Sequence, residues 1–246
     1  MSDICFVVPC KYNQESGFLV FNCVESIRNN HPDADIYVVD SDSDDTSYLQ
    51  ELKEDYGIIP LDVKNKNYST GALWSVFDLS GLKHDKYFLI HDSSILLGKV
   101  DPHTNLQVAP LMCGRNWKWP RKVHRDDNTR TNEWALKMCT ANDLNLNDSF
   151  SSLVGPMFLV SSQVLKNLRA TGFYNIRPSN KYESECMERL WGNAFCNMGL
   201  EEEMNMNSLL GSFQESDIRI NKNGVKLRTH RVHEHTVVQK FWIDRQ

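Results

Sequence analysis

The chain has 246 residues, 41% hydrophobic and 24% charged, the balance of a soluble globular protein long enough to bury a sizeable core. A formal net charge of -5 lacks the basic excess that nucleic-acid binding calls for, so no nucleic-acid partner is expected. Seven cysteines without a CxxC pair, with Cys5, Cys23, Cys113 and Cys139 set in apolar runs, read as small buried hydrophobes and not as a disulfide framework.

The N-terminal MSDICFVVPC has neither a basic n-region nor a cleavable apolar region. No apolar run approaches the roughly 20 residues that span a bilayer. The expectation is a cytoplasmic protein without a membrane span. Residues 4–9 (ICFVVP) form an apolar run ended by proline, as in a buried strand. From Gly17 to Asn30, apolar residues recur at near-helical spacing until His31 and Pro32 stop the helix. DIYVVD (35–40) reads as a second strand, and Asp45 or Thr46 as the cap of a helix through Leu52. A third strand is expected near 58–63, a helix starting at Ser69 or Thr70, and a fourth strand over KYFLIHD (86–92).

Such alternation predicts a largely parallel sheet covered on both faces, with ligand groups at the strands' C-terminal ends. Segment 114–150, polar and holding Trp117, Trp119 and Trp134, reads as a long irregular segment, either a functional loop or a disordered one, whose tryptophans either stack on sugar rings or pack inside. Regular structure is expected again at 152–162, then in helices over 162–170 and 184–198.

Four places carry chemistry-bearing side chains. Asp40 ends a strand, either to accept hydrogen bonds from a base or ribose or to cap an acidic turn. Asp92 ends another, as a ligand to a hard divalent cation or as a turn residue. The tail RTHRVHEH puts His233 and His235 on one face of a strand, as a metal or phosphate site or as an exposed basic edge. Glu183, Glu185 and Glu188 lie near a helix start; the helix dipole accounts for them, and a general base is the alternative.

In chain order, VVPCKYNQE, DIYVVDSDSDDTS, NKNYSTGALW, KYFLIHDSS, GPMFLVSSQVLKNL and ESECMERLWG resemble the layout of GT-A glycosyltransferases. The likeness is greatest to the large inverting family of polysaccharide and cell-surface glycan enzymes, over residues 4–200. It implies one Rossmann-like α/β domain, a mostly parallel central sheet flanked by helices. Residues 1–100 would be the nucleotide-binding half and 101–246 the acceptor-binding half. The implied activity is metal-assisted, inverting transfer of a sugar from a nucleotide-diphosphate-sugar to a hydroxyl of a glycan or glycolipid acceptor. Carried over, Pro9, Lys11 and Tyr12 line the nucleotide pocket, Asp40 meets base or ribose, and Asn67 and Gly71 lie beside ribose and diphosphate.

The same likeness makes Asp92 the first acid of a DxD motif for Mn2+ or Mg2+, with Gly155 and Pro156 near the transferred sugar. Ser94 stands where the second acid belongs, and His233 or His235 would complete the metal site. Glu185 would be the catalytic base, with Glu183 the second choice. A sugar-1-phosphate nucleotidyltransferase is disfavoured because PCKYNQESG offers a single glycine for a phosphate loop. The reading from another class is a catalytically inactive glycan- or nucleotide-binding module, which the DSS departure supports.

Overall fold

In a computed structural model, strand β1 (Ile4–Cys10) lies between β2 (Asp35–Asp40) and β4 (Lys86–Leu89), parallel to both. The structure describes residues 4–80, 83–100, 107–110, 113–118, 126–147, 149–153, 155–205, 215–221, 224–228 and 238–243. For 113–118, 126–132, 149, 205, 215–221, 224–228 and 239–243 it describes the backbone alone. The fold is mixed α/β. Its main sheet has six strands in the order β3-β2-β1-β4-β9-β6, with β3 (Ile59–Leu61), β6 (Val108–Pro110) and β9 (Phe158–Ser161). Within it β9 runs antiparallel to both of its neighbours.

Both faces of β1 are buried, as a central parallel strand requires. Ile4, Phe6 and Val8 point to one apolar cluster, shared with α1 (Phe18–Asn30) and α2 (Ser47–Tyr56). Cys5 and Val7 point to the other, shared with α3 (Tyr68–Ser80), α5 (Ser162–Arg169) and α6 (Lys181–Asn197). The second cluster centres on Trp191, whose ring lies 4.6 Å from Phe173, 5.0 Å from Phe158 and 5.9 Å from Trp74. Its indole N–H donates to Thr70 Oγ1 at 3.2 Å, which ties α6 to α3.

Helix ends follow local chemistry. Gly57, at φ 63, closes α2 in the left-handed conformation that favours glycine. Ser161 caps α5 by accepting from Val164 N, and Asn180 caps α6 by accepting from Glu183 N. At α2, Asp45 rather than Thr46 supplies the side-chain bond, accepting from Ser47 N at 2.8 Å.

Segment 114–150 departs from the expected loop. It contributes β7 (Cys113–Lys118), the sixteen-residue helix α4 (Asp126–Ala141) and β8 (Ser149–Leu153), with β7 and β8 paired. Only a narrow stripe of α4, Ala135 and Cys139, is fully buried among its described side chains, so tertiary packing holds a helix that its polar composition concealed. The regular structure expected at 152–162 consists of two strands, β8 and β9, with a turn at Gly155. α6 starts three residues earlier than the sequence suggested, at Lys181. A separate four-stranded sheet joins β5 (Ser94–Leu96) to β10 (Glu215–Asn221), β11 (Gly224–Arg228) and β12 (Val238–Ile243). The short α7 (Glu201–Asn205) places Glu203, whose Oε2 accepts from Gln107 N and Val108 N at the start of β6.

Candidate active site

The chain order of the sheet reverses at β1, with β2 on one side and β4 on the other. The C-terminal ends of these strands form the crevice where open α/β sheets take ligands. The crevice opens because β4 stops early. Val7 O still accepts from Ile90 N, but the ladder ends at the Val7–Leu89 pair. Pro9 follows on the same edge of β1, so its missing N–H forgoes no ladder bond there. On the other edge Cys10 O accepts from Ser41 N, keeping β2 attached.

Asp40 is buried and fully engaged within the protein. Its Oδ1 accepts from Tyr48 Oη at 3.0 Å and its Oδ2 from Ser43 N at 3.0 Å, while its carbonyl accepts from Asn65 N. Burial and the Asp40 carboxylate beside it push the Tyr48 phenol far above its usual range, so it remains a donor. Tyr48 stacks on Tyr12 at 4.5 Å and 6°, and Tyr12 N donates to Ser43 Oγ at 2.8 Å. Asp40 therefore knits the loop after β1 to the loop after β2. The groups it presents to the crevice are Ser41, Asp42 and Ser43, all part-exposed, with Asp42 at φ 62. Lys11 is exposed beside them.

Asn67 and Gly71 sit together at the start of α3. Asn65 Oδ1 accepts from Asn67 N, Asn67 Nδ2 donates to Pro178 O, and Gly71 N bonds Asn67 O. A Cβ on Gly71 would stand 2.3 Å from Asn65 Oδ1 and 2.6 Å from Asn67 Cβ, so only glycine fits against this loop.

Asp92 lies in a turn two residues past Ile90, not on a strand. The turn closes through Ser94 N to His91 O and leans on α1, where Cys23 Sγ contacts His91 O at 3.6 Å. Burial, with the Asp92 charge nearby, drives the Cys23 thiol far above its usual range, so that sulfur is inert. Ser94, 1% exposed, belongs to β5, and its hydroxyl donates to Met157 Sδ at 3.5 Å. Asp92 is a single half-buried carboxylate in that turn, of the residue type that could contribute to holding a hard divalent cation. Among the described residues no group of three His, Cys, Asp or Glu side chains could hold a metal. His233 and His235 lie outside the described residues. β12 pairs antiparallel with β5, Lys240 opposite Ser94 and Val238 opposite Leu96, so its C-terminal half is the part directed toward Asp92.

The acids of α6 separate cleanly. Glu183 Oε2 accepts from Ser179 N and Ser179 Oγ while its own N–H bonds Asn180, a reciprocal capping arrangement. Glu188 Oε1 accepts from Gly155 N at 2.9 Å. Ser151 O lies against Gly192, where a Cβ would stand 2.1 Å away, so β8 and its turn run along α6 toward the helix's N-terminus. Glu185, one turn before Glu188, is exposed, and its carboxylate has no partner among the described residues. The sequence named Gly155, Pro156 and the three acids, but only the fold shows that Glu188 grips the turn that also carries Met157 to Ser94.

No protein-family model and no curated protein matches the sequence. Among solved structures the chain is similar to TarS 1-349 of S. aureus, at 13% identity and TM-score 0.45, covering 80% of this chain and 56% of that one. It is also similar to core-mannan synthase A of Aspergillus fumigatus in its Mn/GDP form, at 8% identity and TM-score 0.45, covering 82% and 70%. A further S. aureus TarS structure matches at 10% identity and TM-score 0.46, covering 80% and 34%. The chain spans about half the length of the first of these, 56%. Among the described residues no helix is long and apolar enough to cross a membrane.

Proposed function

We propose that the chain is a glycosyltransferase of the GT-A type, taking a nucleotide-diphosphate-sugar as donor and a glycan or glycolipid hydroxyl as acceptor. The observation that carries this reading is the convergence at one crevice of the β1–β2 loops, the Asp92 turn and the Gly155 turn held by Glu188.

The base and ribose would lie against Tyr12 and the Ser41–Ser43 loop that Asp40 organises, with Asn67 and Gly71 at the far wall. Asp92 would hold Mn2+ or Mg2+ together with diphosphate oxygens; when bound, such an ion offsets the charge that develops on the leaving diphosphate. Ser94 joins that set only by giving up Met157. Glu185 would take the proton of the acceptor hydroxyl as its oxygen forms the new bond to the sugar's anomeric carbon. The bond from that carbon to the diphosphate breaks in the same displacement, inverting the centre. Glu188 would be a positioning residue, and Glu183 a helix cap.

Thermal unfolding against UDP, GDP, dTDP and CMP, with and without Mn2+ or Mg2+, tests this. A ligand of the native state adds about 2.7 kcal/mol at a hundredfold excess over its dissociation constant. A metal-dependent rise with one diphosphate, lost in Asp92→Asn, is expected. No rise with any nucleotide would sink the transferase. Nucleotide binding without turnover would leave the inactive binding module, which the engaged Ser94 hydroxyl favours.

A further inference from the structure

The loop between β3 and α3 is bound on both sides. Asn65 is buried, and its backbone N–H donates at 3.0 Å to the carbonyl of Asp40, at the end of β2. Its side chain closes the loop from within: Oδ1 accepts from Asn67 N at 3.0 Å and Nδ2 donates to Tyr68 O at 2.8 Å. Lys66 adds a solvated ion pair to Asp42 at 3.3 Å. On its far side the loop reaches the chain that leads into α6, where Asn67 Nδ2 donates to Pro178 O at 3.0 Å. The next residue, Ser179, donates through its N–H and its hydroxyl to Glu183 Oε2, at 2.6 and 2.7 Å. Hydrogen bonds and short covalent links therefore run from Asp40 through Asn65, Asn67 and residues 178–179 to the first turn of α6, just before Glu185.

The backbone of this loop carries strain. Lys64 at φ 48 and Tyr68 at φ 55 bracket it in the left-handed region, which residues with a β-carbon enter against steric resistance. Such conformations persist where neighbouring bonds over-determine them, and they collect at working sites. Here the bonds of Asn65 do so. The leader into α6 is anchored from behind by Arg177, whose Nη1 donates to the carbonyls of Tyr174 and Ile176 while its guanidinium lies 4.6 Å over the Tyr174 ring. Pro178 is held instead by Asn67, so the placing of the helix start depends on the loop.

We propose that Asn65 and Asn67 are positioning residues, a strap that fixes the start of α6, and Glu185 with it, against the donor-side loop at Ser41–Ser43. This role rests on the transferase reading, in which the donor lies between these elements. A nucleotide bound against the Ser41–Ser43 loop and Asn67 would order the strap, and the order would reach Glu185 through backbone already bonded at both ends. Binding and positioning would then be reciprocal, since a ligand shifts a conformation only by its differential contacts with it. Both asparagines act through α6, and neither is a catalytic residue.

Hydrogen exchange over residues 179–185 tests it, in wild type, Asn67→Ala and Asn65→Asp, without ligand and at saturating UDP or GDP with Mn2+. Asn67 is half-buried, so its alanine variant should fold normally. Asn65→Asp keeps the acceptor for Asn67 N and loses the bond to Tyr68 O. Without ligand, exchange about fivefold faster in each variant is expected, the effect of losing one hydrogen bond. Residues 164–169 of α5 should be unchanged. The nucleotide should slow exchange at 179–185 in wild type and leave it unchanged in the variants, a response that a merely structural role would not move. Equal exchange in all three proteins overturns the strap, as does faster exchange spread equally over α5. A bound nucleotide that fails to slow wild type, or slows the variants as much, overturns it too. Absence of nucleotide binding in wild type removes the transferase instead, and the ligand-free comparison then decides the strap alone.

Discussion

Glu188 on α6 accepts a hydrogen bond from the backbone N–H of Gly155 at 2.9 Å, and Gly155 sits at φ 58, in the left-handed region. One side chain thus anchors a turn whose next residues pack Met157 under Ser94. The turn is where α6 meets the start of β5, just past the Asp92 turn.

Glu188→Gln keeps an oxygen for the Gly155 N–H, whereas Glu188→Ala leaves that donor unmet. The alanine variant is expected to lose about 1–3 kcal/mol of stability and to fall sharply in turnover, with the glutamine variant close to wild type in denaturant midpoint. Gly155→Ala should cost about 1–2 kcal/mol through its positive φ alone. Urea unfolding of the three proteins is the measurement. An alanine variant as stable as wild type would show that the bond does not anchor the turn.

The two acids nearest the start of α6 should part company in kinetics. Glu183→Gln retains the capping oxygen, so stability and turnover should change little. Glu185→Gln should keep the fold and lower kcat by roughly 10²–10⁴, the usual worth of general base catalysis. The opposite pattern would transfer the role to Glu183.

Tyr48→Phe removes one partner of the buried Asp40 carboxylate while keeping the ring stacked on Tyr12. A loss of about 1–3 kcal/mol is expected, with a weaker hold on the Ser41–Ser43 loop and reduced nucleotide affinity. Equal stability in thermal unfolding would mean that Asp40 is satisfied without the phenol.

Gly71→Ala forces a methyl group to within 2.3 Å of Asn65 Oδ1. The loop must shift, at about 1–3 kcal/mol, and nucleotide binding should weaken in the same protein. Titration of the variant with the nucleotide that binds wild type checks the second half.

His31 gives the fold an acid sensitivity. It is buried, its Nε2 accepts from Val100 N at 3.0 Å, and burial, assisted by the Lys99 charge, lowers its pKa to about 4. The unfolded imidazole titrates near 6.5, so between these values the unfolded chain binds the proton first. Stability is therefore full above about pH 6.5 and falls as pH drops toward 4, by up to about 3 kcal/mol. His31→Gln preserves an acceptor for Val100 N and should flatten this part of the pH profile; an unchanged slope would refute the assignment.

Strands β1 and β2 and helices α1 to α3 were legible in the sequence because apolar spacing and end signals are local properties. Gly17 to Asn30 shows its helical period directly, and β1 declares burial by its unbroken apolar run. α4 was not legible, since its fully buried described residues, Ala135 and Cys139, are too sparse to set a period. The reading of a strand through Asp92 failed for a non-local reason: the run stays apolar to Ile90, but pairing with β9 stops at the Leu89–Phe158 match.

The residue types able to bind a nucleotide or move a proton, and their order, are properties of the sequence. Which of them are free to do so was decided by partners far along the chain. Tyr12 meets Ser43, Asn67 meets Pro178 111 positions away, and Glu188 meets Gly155. Asp40 and Glu185 look alike as single letters; one is closed inside a hydrogen-bonded core and the other faces solvent, because the work a carboxylate can do depends on how many donors already surround it.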